Sequence, residues 1–207
     1  MSPDALSPNA LSPDAPGPDA VNPVPLASLR RLARKRGRPE PPPVERCDMC
    51  AEPIAAGHDH VVDLRSRSLM CTCHPCHLLF ADQEADLHYR AVPQRYRRLD
   101  DPPDLDIPVG LYFAFHNSVE QRVIVCYPGP AGATESSLPP TTRLPSDVRP
   151  DVEAMLVHDD TSYLVPIDVC YELTGRLRRV WRGFDGGREA RDEIAAFFTR
   201  VRERSAR

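Results

Sequence analysis

The sequence predicts an α+β protein: a small four-cysteine metal module, treble-clef-like or ribbon-like, followed by an antiparallel sheet with helices at its C-terminal end. Three observations carry this. Five of the seven cysteines and four of the seven histidines crowd into Cys47–Phe80. Apolar runs of strand length, rich in β-branched and aromatic residues, recur between residues 107 and 165. From Ile167 onward the apolar spacing changes to three and four, the period of helices. Strands first and helices last is the chain order of an α+β domain.

The elements follow in order. Residues 1–25 are expected to be a disordered tail, because residues 2–21 repeat a five-residue unit (SPDAL, SPNAL, SPDAP, GPDAV) with few large apolar side chains. Of the 24 prolines, 11 lie before residue 46. Residues 26–45 read as a short basic helix, LASLRRLARKR, with leucines at 26, 29 and 32 on one stripe, ended by Gly37 and followed by a stiff proline-rich linker. Its basic face suits an acidic partner, RNA or a membrane surface, although three leucines offer a membrane little area, and a solvated helix leaning on the protein's own surface is an equal reading.

Residues 46–91 are the expected metal module. A Cys47-x2-Cys50 knuckle precedes a hairpin, His60–Leu64 and Ser68–Met70, around Arg65-Ser66-Arg67. A helix then starts near Pro75, with apolar residues at 78, 79 and 87. Knuckle, hairpin and ligand-bearing helix, in that order, resemble the treble-clef zinc modules. Residues 92–106 are expected to be a connector, and 107–204 the α+β domain. Within the latter, 107–116 and 121–127 form one strand pair, 128–147 a long loop, and 152–157 and 163–165 a second pair. Ile167–Trp181 and Glu189–Arg204 are the helices, broken at 183–187.

The chemistry rests on the cysteines. A thiolate-preferring ion wants four sulfurs at tetrahedral corners, and two C-x2-C turns supply them. Cys47, Cys50, Cys73 and Cys76 fit, with Cys71 as an alternative third ligand if the strand carries Cys71 and Cys73 on one face. Zn2+ is the expected ion. The same thiolates would hold a single iron, as in rubredoxins, or an iron-sulfur cluster. The lone Cys126 and Cys170 sit in apolar surroundings and are expected in the core.

Asp59-His60 followed by Cys73-x2-Cys76-His77 also resembles the HNH nucleases, with His60 as general base. Only twelve residues separate His60 from Cys73, and none is Asn, which departs from that pattern. His58, His60, His74 and His77 are therefore expected at the surface or behind the ligands. PGPAGATES, at 128–136, lacks the lysine of a phosphate loop, and its prolines remove backbone donors. No catalytic constellation emerges, so no enzymatic activity is expected. The net charge of −4 gives no electrostatic reason to expect nucleic acid. With no spanning apolar run and no signal-peptide layout, a cytoplasmic location is expected, where clustered cysteines bind metal rather than form disulfides.

Several phrases together are similar to one known family: ERCDMC (45–50), HDHVVDL (58–64), CTCHPCHLLF (71–80), IPVGLYFAF (107–115), YPGPAGATES (127–136), PDVEAMLV (150–157), VPIDVCYELTG (165–175) and WRGFDGG (181–187). They resemble an actinobacterial family of unknown function whose genes often lie beside those of uptake-type nickel-iron hydrogenases. The resemblance spans roughly residues 26–203. It implies an accessory or maturation role with a protein partner, the hydrogenase or its maturation machinery, and supplies no catalytic residues.

Overall fold

The computed structural model of this chain describes residues 44–82, 88–100, 110–136 and 144–206. The repeat tail, the basic helix and the linker as far as residue 43 lie outside the described residues, as do 83–87, 101–109 and 137–143. From Val44 to Arg207 the chain forms one compact unit.

Among the described residues, two antiparallel sheets and three helices make up that unit. β1 (Asp59–Asp63), β2 (Ser68–Thr72) and β3 (Tyr89–Ala91) form a small sheet in the order β2-β1-β3. α1 (His74–Leu78) follows β2 directly. β4 (Arg97–Leu99), β5 (Leu111–Asn117), β6 (Arg122–Gly129), β7 (Gly132–Glu135), β8 (Glu153–His158) and β9 (Thr161–Pro166) form a larger sheet. Its order is β4-β9-β8-β5-β6-β7. α2 (Ile167–Val180) and α3 (Gly187–Ser205) close the chain. This is the expected α+β architecture, with antiparallel sheets, C-terminal helices and a four-cysteine cluster ahead of them.

Alternation along the central strands builds two apolar faces. On β5, Phe113 and Phe115 point to one side and Tyr112 and Ala114 to the other. The first side, with Ile124, Leu156, Tyr163 and Val165, is roofed by the helices. The helical stripe Val169, Cys170, Leu173 and Leu177 of α2, and Phe197, Phe198 and Val201 of α3, fill it. Val62, Leu69 and Val92 from the small sheet pack on the same core. The small sheet is thereby seated on the large one. Cys126 and Cys170 are both buried in this apolar setting, as expected, and burial pushes the Cys126 thiol up to about 11.

Three strands differ from expectation. Tyr89–Ala91, expected as the end of the helix after Cys76, pairs instead with β1 through Val61↔Ala91, Val62↔Arg90 and Asp63↔Tyr89. The helix itself is only five residues long and ends at Leu78. Arg97–Leu99, inside the expected connector, is an edge strand on β9. Gly132–Glu135, inside the expected loop, folds back on β6, and Gly132 at φ 112° makes the tight return possible. The break between the helices holds a second such position. At Gly186, φ is 82° and a Cβ would meet the Trp181 ring at 3.2 Å.

Buried charge ties the segment before β4 to the large sheet. The Glu153 side chain is 0% exposed and accepts bonds from Arg95 Nε (2.8 Å), Arg95 Nη2 (2.6 Å) and the Arg149 backbone N–H (2.9 Å). A buried carboxylate needs such a bidentate partner, since unpaired it would lose its hydration with no return.

Candidate metal centre

The first knuckle is closed by its own backbone. The Cys47 N–H donates to the Glu52 carbonyl (2.8 Å) and the Ala51 N–H to the Cys47 carbonyl (2.9 Å), while Ala51 turns the chain at φ 62°. Asp48 then fastens the knuckle to β2 from both sides. Its N–H donates to the Cys71 carbonyl (2.8 Å), and its carboxylate accepts from the Cys71 N–H (2.7 Å). β2 ends at Thr72, and Cys73 becomes the residue that opens α1, with Pro75 in the first turn, where its missing N–H costs nothing.

That change of conformation at residue 73 decides which sulfurs meet. The Sγ atoms of Cys47, Cys50, Cys73 and Cys76 all lie within 4.8 Å of one another. The Cys50–Cys73 separation is 3.6 Å. A tetrahedron with metal-sulfur bonds of about 2.3 Å has edges of roughly 3.8 Å. The donor set therefore fits one thiophilic ion. A [4Fe–4S] cluster binds one thiolate to each iron and a [2Fe–2S] cluster two to each, and both spread the four sulfurs more widely than a single ion does. Cys71 stands elsewhere. It lies one residue short of the strand's end, and its sulfur groups with His58 and His60 instead.

The thiols are unequal. Burial works against ionising Cys47, yet the backbone N–H groups of Cys73, Cys50 and Met49 point at its sulfur and bring its pKa down to about 6. At Cys50 the Glu52 N–H favours the thiolate, but the sulfurs of Cys47 and Cys73 outweigh it and raise the pKa. The Cys73 sulfur, together with burial, pushes Cys76 up to about 12. Crowding by the neighbouring sulfurs governs Cys76. One thiolate forms readily here, and four can coexist only around a cation.

The histidines fall into two further groups on opposite faces of β1. Asp59, His74 and His77 gather on one side, with His74 Nδ1 2.8 Å from Asp59 and His77 Nε2 donating to the Val92 carbonyl at 3.0 Å. His58, His60 and Cys71 gather on the other. His60 is held by Asp168 of α2, 2.8 Å from its Nδ1. The sequence does not single out Asp168 as a site residue, because it lies 108 positions from His60 and nothing in the phrase around it points to a histidine partner. His58 is not at the surface, for its side chain is only 9% exposed. His60, the general base of the nuclease reading, does not belong to the four-sulfur group.

Residues 46–205 match the model of a family of unknown function, DUF5947. No curated protein and no solved structure matches the chain. No described helix is long and apolar enough to cross a membrane.

Proposed function

Taking as premise that the chain belongs to the DUF5947 family, we propose that it is a non-enzymatic accessory protein built around a structural Zn2+ at Cys47, Cys50, Cys73 and Cys76. The observation that carries this is the convergence of four sulfurs, from a knuckle and a helix start, to within 4.8 Å. A bound ion would fasten the Cys47–Cys50 knuckle to α1, joining by metal bonds two short segments with little apolar surface of their own. The resemblance to a family encoded beside nickel-iron hydrogenases supports a partner among the hydrogenase or its maturation proteins, in a reducing, cytoplasmic setting that keeps the thiols free.

A rubredoxin-like iron is the second reading. It is favoured by the exposure of Cys50, because an electron carrier needs one edge of its metal at the surface. Metal analysis and a visible spectrum of aerobically purified protein separate the two. The expected result is a colourless protein carrying zinc at the four cysteines. A red, iron-containing protein would sink the structural-zinc reading. Cys73→Ser is expected to abolish metal at this centre, whereas Cys71→Ser keeps it. The opposite pattern would move the third ligand to Cys71.

A further inference from the structure

His58, His60 and Cys71 lie close together for reasons of strand geometry. His60 and Cys71 are directly opposite in the β1–β2 register, so their side chains stand side by side on one face. His58 precedes His60 by two residues and shares that face. One ligand atom from each of the three lies within 4.8 Å of the others. The two imidazoles meet edge to face, centroids 4.7 Å apart.

Each ring is oriented by its other nitrogen. His58 Nδ1 bonds the Ala55 carbonyl at 2.9 Å, and His60 Nδ1 bonds the Asp168 carboxylate at 2.8 Å. With these partners Nδ1 carries the proton on both rings and Nε2 is left as a lone pair. This is how imidazoles that ligate metals are held, the outer acceptor fixing tautomer and aim. The His58 side chain is 9% exposed, and its Nε2 is buried with no hydrogen-bond partner in the structure. A buried polar atom without a partner costs roughly 1–3 kcal/mol and requires an explanation.

We propose that His58 Nε2, His60 Nε2 and the Cys71 thiolate form a second metal site, separate from the four-cysteine centre, for a divalent transition ion of the Zn2+ type. An ion at this point gives the orphaned His58 nitrogen its partner. A Cys71–His60–Asp168 proton relay would use two of these three groups but leave His58 Nε2 without a partner. The ligand set is two nitrogens and one sulfur, which suits a borderline ion and leaves a fourth position open. His58 and His60 line a cleft of about 650 Å³ that also reaches Tyr96, Glu172 and Arg204. Water from that cleft supplies the fourth ligand. The site goes beyond the structural role proposed above and does not depend on it.

The test is a count of zinc on the full chain, loaded under reducing conditions and desalted. Two ions per chain are expected in the wild type, one in the His58→Gln/His60→Gln variant, and one in Cys50→Ser, which disables only the other centre. A wild-type chain with one ion, unchanged in the histidine variant, overturns the second site and leaves the four-cysteine centre standing. Two ions retained in the histidine variant overturn it as well. Zinc-edge X-ray absorption on the wild type needs no variant to fold. A mixed nitrogen and sulfur shell is expected, and a sulfur-only shell overturns the proposal.

Discussion

At the scale of single residues, a few side chains hold positions that others cannot take over. Arg95→Ala would strand the Glu153 carboxylate, 0% exposed, with only the Arg149 N–H as partner. The Arg95 side chain is itself 35% exposed, so water can enter the place it leaves and the loss should be about 1–3 kcal/mol. Urea unfolding should read that loss, with Arg95→Lys falling between, since an ammonium cannot reproduce the fork. A second prediction concerns protons. Cys47 has its pKa lowered to about 6, against an ordinary value of 9, so it is already a thiolate at neutral pH. Lowering pH through about 6 protonates it. Zinc binding to the four-cysteine centre of the His58→Gln/His60→Gln chain, measured calorimetrically in buffers of differing ionisation enthalpy, should release about one more proton at pH 5 than at pH 7.5. A count that stays level between those values would contradict the preformed thiolate. The cysteines were legible because spacing alone announces a knuckle. Asp168 and Arg95 were not, because their partners are 108 and 58 positions away, and a helical period such as the one around Asp168 says nothing of what a polar residue on it will meet.

Elements were legible in proportion to their length. β5, β6 and the two long helices each carry a period over enough residues to be counted, and the strand pairing follows from it. β3, β4 and β7 have three, three and four residues. Over so few positions, alternation cannot be told from chance. Tyr89-Arg90-Ala91 exists as a strand because β1 offers it an open edge, which only the folded hairpin reveals. Cys71 and Cys73 show the same limit. Which of them joins the cluster depends on strand ending and helix beginning at residue 73. α2 makes the sharpest prediction at this scale. Leu173 is 0% exposed between the sheet and α3, so Leu173→Ala should cost about 3 kcal/mol by thermal or urea unfolding. A loss under 1 kcal/mol would mean the helix packs less tightly than its buried stripe indicates.

For the molecule as a whole, on the proposed metal reading, the small sheet has two supports, the ion at its sulfurs and the core it shares with the large sheet. Removing metal with a chelator should withdraw only the first. Hydrogen exchange is expected to accelerate across residues 47–78, while β5, β8 and β9, buried on both faces, keep their protection. Uniform acceleration would show instead that the ion holds the entire unit together.

The link between His60 and Asp168 has a consequence in time. A ribosome delivers Cys47–Cys76 long before it delivers α2, and β4 must wait for β9, made more than sixty residues later. The hairpins β5–β6–β7 and β8–β9 can form locally as they emerge, but Cys71 spends synthesis without Asp168, which later holds His60 beside it, and the four clustered thiols are complete as soon as Cys76 is made. On the proposed metal reading, their capture of metal competes with oxidation while the chain is still being made. Expression in zinc-depleted, aerated culture should therefore yield more disulfide-linked chain than the same treatment applied to finished protein.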